Sequence, residues 1–140
     1  MFTTLMLWMT MSAQTSVVSE KTTPHHIIAG GKGQATLLHN TQTGSDVALS
    51  ILVLQQGASV PEHKHETSGE LLYILEGEVE TMVVGKVYRA AVGDAVFIPK
   101  DQLHSAKVTK GPVRAVQIYS PAGPEQRFVQ NSQVGLPTTK

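Results

Sequence analysis

The chain has 140 residues, 41% of them apolar and 16% charged, a balance that suits one globular domain and excludes a disordered chain. Its 11 basic residues equal its 11 acidic ones, and no basic run or basic–aromatic interleaving occurs, so nothing in it suggests a nucleic-acid groove. There is no cysteine, which excludes thiol nucleophiles, disulfides and thiolate metal sites.

The first segment, MFTTLMLWMTMSAQ, is apolar over most of Leu5 to Met11, and Ser12-Ala13-Gln14 has the small residues of a signal cleavage site. No Lys or Arg precedes Lys21, so the positive start of an export signal is missing. Three readings stand: an export signal, with a periplasmic or secreted protein; a first strand or dimer-packing arm; or a disordered tail. The last two go with a cytoplasmic protein. The run is too short to span a bilayer, so no stable membrane insertion is expected. TSVVSEKTTP, residues 15–24, is a polar linker. The expected division is therefore an arm over 1–24, a folded domain over 25–130 and a flexible tail over 131–140.

Beyond residue 25, short apolar runs alternate with glycine, proline and polar pairs, and no window keeps a helical period for ten residues. ALSILVL at 48–54 predicts a strand, and LLYIL at 71–75 a second, ended by Glu76-Gly77. Residues 79–84 and 87–91 predict a hairpin around a Gly85-Lys86 turn. Gly93-Asp94 turns the chain into a strand at 95–98, stopped by Pro99-Lys100-Asp101. Residues 105–108 and 113–119 add two more strands, and Arg127 to Val129 an edge strand. Some eight short strands with no room for crossover helices predict an all-β sandwich or barrel.

HKHETSGE, residues 63–70, is where chemistry enters. Side chains at i and i+2 of a strand share a face, so His63 and His65 converge. Glu70 lies at an odd offset from His65, which would turn it away on a continuous strand. Thr67-Ser68-Gly69 can bend the chain and bring it back, and His104, after the Pro99 turn, offers a third imidazole. Three His and one Glu would leave one or two positions open on a five- or six-coordinate ion, whereas tetrahedral zinc would be saturated. The ordinary alternative is that an H-x-H pair is merely exposed or hydrogen-bonded. By parity with Glu70, Leu72 and Ile74 point inward and Tyr73 outward. Gln117 and Tyr119 offer polar groups to the interior or simply pack. Glu62 and Glu66 read as rim charges, Glu76, Glu78 and Glu80 as surface, Phe97 as core or pocket wall, and His25, His26 and His39 as loop histidines.

The spacing of these residues resembles the cupin superfamily. Gly57-ASVPE-His63-Lys64-His65-ETSG-Glu70-LLYILE-Gly77 has the form of the first cupin motif: glycine, five residues, H-x-H, three or four residues, glutamate, six residues, glycine. Gly93-DAVFI-Pro99-Lys100-Asp101-QL-His104 has the form of the second, with Asp101 where glycine is usual and Val108 where asparagine is usual. The likeness covers roughly residues 45–120. It implies a double-stranded β-helix, or jelly-roll, barrel with His63, His65, Glu70 and His104 as ligands of one divalent ion. Manganese or iron are favoured, with nickel, cobalt or zinc as alternatives. It further implies a small organic substrate and either dioxygenase-type oxidoreductase chemistry, isomerase or lyase chemistry, or a non-catalytic binding role. Small cupins generally hide their sheet edges in a homodimer, to which residues 25–40 are expected to contribute.

Overall fold

The computed structural model describes residues 15–130 and 134–135. The apolar opening segment 1–14 and most of the tail lie outside the described residues. The strands are β1 (His25–Ile28), β2 (Gly33–His39), β3 (Ala48–Leu54), β4 (Ser59–His63), β5 (Gly69–Val83), β6 (Lys86–Ala91), β7 (Ala95–Ile98), β8 (His104–Ser120) and β9 (Val134–Gly135). One short helix, α1 (Gln126–Gln130), stands where an edge strand over Arg127 to Val129 is expected. Pro124 and Glu125 just before it are helix-start residues. His25, His26 and His39 sit in strands rather than loops.

β5 and β8 organise the molecule. The sequence breaks each of them in two, at Glu76-Gly77 and around Gly111-Pro112, yet each is continuous over 15 and 17 residues. The breaks are bulges: register shifts fall between Ile74 and Val79 in the β5–β8 ladder. A bulge changes which parity faces inward. On β5 the buried side chains are Glu70, Leu72 and Ile74 before Gly77, then Val79 and Thr81 after it. On β8 they are His104 and Val108, then Val113, Ala115, Gln117 and Tyr119. Both flips occur at one level, because Gly77 (φ 78°) packs so closely that a Cβ would collide with the carbonyl oxygens of Lys110 and Pro112.

The long pair is thereby bent, and its two halves join different neighbours. The C-terminal half of β8 pairs with β3, and the N-terminal half with β4. The first half of β5 pairs with β7, the second with β6. Among the described residues all ladders are antiparallel.

The expected closed barrel is corrected by this topology. The nine-stranded sheet runs β6-β5-β8-β3-β2-β1-β9, with β4 and β7 branching off onto β8 and β5, and among the described residues no ladder joins its ends. The strands at the remaining edges are too short to close it: β4 has five residues with a register break, β7 has four and β9 has two. The result is an open, jelly-roll-like sheet curled over its own apolar face. Residues 25–40 lie within this sheet, paired to β3 on one side and in part to β9 on the other.

Inside the curl sit two apolar clusters, one around Leu54, Ile74, Val79 and Val113, the other around Leu52, Leu72, Tyr119 and Phe128. Val108, 1% exposed, is core packing. Phe97 is not core: it is 61% exposed on the outer face, where it lines a shallow second pocket with Leu71 and Pro99, apart from the histidine cluster. No helix among the described residues is long and apolar enough to cross a membrane.

Candidate metal site and its cavity

Three separate pieces of chain deliver the four candidate ligands. His63 ends β4, directly opposite His104 at the start of β8, and their ring centroids lie 4.2 Å apart. His65 is carried by the loop that follows, so the two histidines converge without sharing a strand. Glu70 stands near the start of β5, where Ser68 and Gly69 have turned the chain.

The turn of residues 99–103 clips the His65 loop in place. The Asp101 amide donates to the His65 carbonyl at 2.7 Å, and its carboxylate pairs with Lys64 at 2.7 Å. Asp101 occupies the left-handed region at φ 62°, where glycine is favoured. The Lys64 pair is what this side chain provides in return.

One ligand atom from each of the four residues lies within 4.8 Å of all the others. His63 Nδ1 is 2.7 Å from the Pro61 carbonyl and His104 Nδ1 is 2.8 Å from the Gln102 carbonyl. A carbonyl only accepts, so both Nδ1 atoms carry the proton and both Nε2 lone pairs are free. Both Nε2 atoms are buried; that of His63 has no hydrogen-bond partner, and that of His104 meets only the Glu70 carboxylate. The His65 and His104 Nε2 atoms stand 3.1 and 3.3 Å from Glu70 Oε2. One unpartnered imidazole nitrogen and two more crowded on a buried carboxylate oxygen are a donor set that suits a divalent cation, with the second ring nitrogen of His63 and of His104 already oriented by a carbonyl.

Behind the ligands runs a polar relay. Gln117 donates from Nε2 to Glu70 Oε1 at 2.6 Å and to Tyr119 Oη at 2.8 Å, while its own Oε1 accepts from Ser50 at 3.0 Å. The Tyr119 ring meets His65 edge-on at 4.9 Å, and Arg127 of α1 donates to Tyr119 Oη at 3.0 Å. Burial would push the Glu70 carboxyl up, but the hydrogen-bonding His104, His65 and Gln117 together hold it well below the usual carboxylate range. Burial also lowers the His63 pKa to about 4, with the Arg127 charge adding to it against the Pro61 hydrogen bond. His104 moves the other way: burial lowers it, but the Glu70 carboxylate and the Gln102 carbonyl outweigh that and raise it. Burial pushes the Tyr119 phenol well above its ordinary value, so it stays neutral.

His63, Glu70 and His104 form part of the wall of a cavity of about 730 Å³. That size suits a small organic ligand. Leu72 and Ile74 line it and Tyr73 faces out, as parity predicts. Glu62 is on its exposed rim. Two lining residues escape sequence reasoning: Thr81, hidden in a surface-like hairpin pattern, and Arg127, whose helix is a single turn.

Fold and site together define a β protein with a histidine–carboxylate metal pocket beside a small-molecule cavity. The chain belongs to the cupin superfamily: the cupin domain family matches residues 50–119, half of the sequence. It is 30% identical over 117 residues, 82% of this chain and 77% of the relative, to the tetracenomycin polyketide synthase protein TcmJ of Streptomyces glaucescens. It is 32% identical over 99 residues, 66% of this chain and 82% of the relative, to the oxalate-binding protein of Thermotoga maritima. Among solved structures, KdgF from Halomonas sp. matches with a TM-score of 0.69 over 81% of this chain and 98% of that one; at 18% identity the likeness is one of fold.

Proposed function

We propose that the protein is a metal-dependent cupin in which His63, His65, Glu70 and His104 hold one divalent ion, that a small organic substrate binds this ion through oxygen atoms, and that the reaction is an oxidoreduction of the dioxygenase type. The observation that carries this reading is the convergence of one ligand atom from each of the four residues within 4.8 Å, the buried and unpartnered His63 Nε2 among them, at the wall of the cavity. Four protein ligands suit manganese or iron, which keep further positions open, with nickel and cobalt next and zinc least.

When bound, the ion supplies Lewis acidity and, for iron or manganese, redox capacity. The chain does the rest. Gln117 fixes Glu70 so that Oε2 faces the imidazoles, the two backbone carbonyls fix the tautomers of His63 and His104, and Leu72 and Ile74 keep water from the substrate side. Isomerase or lyase chemistry needs a positioned proton carrier. Among the described lining residues the only carboxylate besides Glu70 is the exposed Glu62, which favours oxidation over those routes. The name of the Thermotoga relative supports carboxylate oxygens as ligands, and a non-catalytic binding module is the second reading it favours.

Protein loaded with iron(II) or manganese(II) should consume oxygen with some member of a panel of catechols, β-diketones and hydroxy acids, and Glu70→Gln should not. Turnover that proceeds equally well without oxygen would replace the oxidoreductase reading by an isomerase or lyase. Saturable binding with no turnover would leave the binding module.

The same proposal includes a homodimer. Leu71, Tyr73, Leu75 and Phe97 are 42–61% exposed on the outer face, and Leu71 lies opposite Phe97 in the β5–β7 ladder. A contiguous apolar sheet face of this kind supports self-association.

A further inference from the structure

Arg127 has no role in the metal shell, yet it reaches the same cavity. It sits on α1, half-buried, with its guanidinium over the Phe128 ring at 4.9 Å and its Nη2 donating to Tyr119 Oη at 3.0 Å. Phe128 is buried in the apolar interior and holds the helix down. Arg127 is thus anchored by a ring and a phenol, neither of which neutralises it. Among the described residues, no carboxylate lies within ion-pairing distance of it. It is also the one Lys or Arg among the described residues that line the cavity.

A half-buried guanidinium at this wall, without a counter-ion among the described residues, is available to an anionic ligand in the cavity. The metal does not supply the counter-charge. A divalent ion on one carboxylate and three neutral imidazoles keeps a net positive charge, and Arg127 adds a second to the same cavity. An anionic ligand relieves both. Thr81 Oγ, buried, lining the cavity and without a hydrogen-bond partner, provides a further polar contact. Much of the wall, including Leu54, Ile74, Val79 and Val113, is aliphatic, and the cavity of about 730 Å³ is far larger than a two-carbon diacid requires.

We propose that Arg127 is the specificity-determining residue of this cavity and selects an organic acid with an apolar ring or chain, pairing its carboxylate while a neighbouring oxygen of the same molecule meets the ion. The planar guanidinium matches a carboxylate through two parallel hydrogen bonds. This inference rests on the metal-pocket reading for the second contact, but the carboxylate contact is separable from it.

The test uses 3-hydroxy-2-naphthoate and its neutral primary amide as probes, titrated into full-length protein in the manganese(II)-loaded and the chelator-treated forms. Wild type should bind the acid about tenfold to a hundredfold more tightly than the amide, the range of a charge-assisted hydrogen bond. Arg127→Gln and Arg127→Met should bring that ratio down at least about tenfold in both forms while metal content stays unchanged, and Arg127→Lys should keep most of it. A ratio near one in wild type, no saturable binding of the acid to either form, or a ratio unaffected by the two neutral variants would overturn the proposal. A protein that takes up no manganese but keeps an Arg127-dependent preference for the acid would sink the metal reading and leave this one standing.

Discussion

Glu70 is 4% exposed, and its two oxygens have different work: Oε1 accepts from Gln117, Oε2 faces the imidazoles. Removing the Gln117 amide frees the carboxylate to rotate without removing a ligand. Gln117→Leu should therefore weaken manganese binding about tenfold to a hundredfold, read by competition with a chromophoric chelator, with the fold retained. His63 gives a pH dependence. Its folded pKa, about 4, lies below the ordinary 6.5, so between these values the unfolded chain takes up the proton more readily. The stability it contributes is present above pH 6.5 and is lost as pH falls towards 4. His104, with its pKa raised, gains stability as pH falls through its folded value and keeps it unchanged well below its ordinary 6.5, so it offsets the His63 loss only at the upper end of that range. Metal-free protein should become less stable to denaturant from pH 7 to pH 4, and His63→Gln should flatten that slope. The grouping of His63, His65, Glu70 and His104 was legible through the spacing of the two cupin motifs and not through strand parity, since His65 lies in a loop and Glu70 at an odd offset. Parity did give the inward Leu72 and Ile74 and the outward Tyr73. Arg127 was not legible, since a one-turn helix leaves no periodicity to read.

The long strands show where local signals mislead. Gly77 and Gly111-Pro112 have the composition of turns, and the sequence reading ends strands at them. The chain passes through both as bulges, because the two irregularities face each other and keep the flanking residues on one interior face. Gly77→Ala would put a Cβ into the Lys110 and Pro112 carbonyls at a positive φ, and should cost at least about 2 kcal/mol in denaturant unfolding. The β5–β6 hairpin carries a smaller local conflict. Its two-residue loop is Val84-Gly85, both left-handed, and a β-branched residue is poorly suited to the first position. Val84 is 65% exposed, so Val84→Asn should stabilise by roughly 1 kcal/mol with no loss of packing. β1 and β2 were also invisible in the sequence: β1 is half-buried throughout, and the buried residues of β2 are the small or polar Gly33, Ala35 and Thr36, so neither shows an apolar alternation.

At the scale of the molecule, the open sheet and the site belong together. The bend brings the β4–β8 end, with His63 and His104, against the β5 start, with Glu70, and leaves the space between them as the cavity. Sheet closure is not legible from strand count, because it depends on which short strands find an edge. On the outer face, Tyr73→Lys should convert the expected dimer to monomer in light scattering at micromolar concentration, whereas a monomeric wild type would contradict the association proposed for that face. The most direct test of the central claim is elemental analysis of protein purified without added metal or chelator, beside His104→Ala. Wild type should carry about one equivalent of manganese or iron per chain and the variant almost none, since removing one of four ligands opens a site whose affinity depends on the full set. No metal in wild type even after reconstitution, or equal metal in the variant, would contradict the four-ligand site on which the functional reading stands.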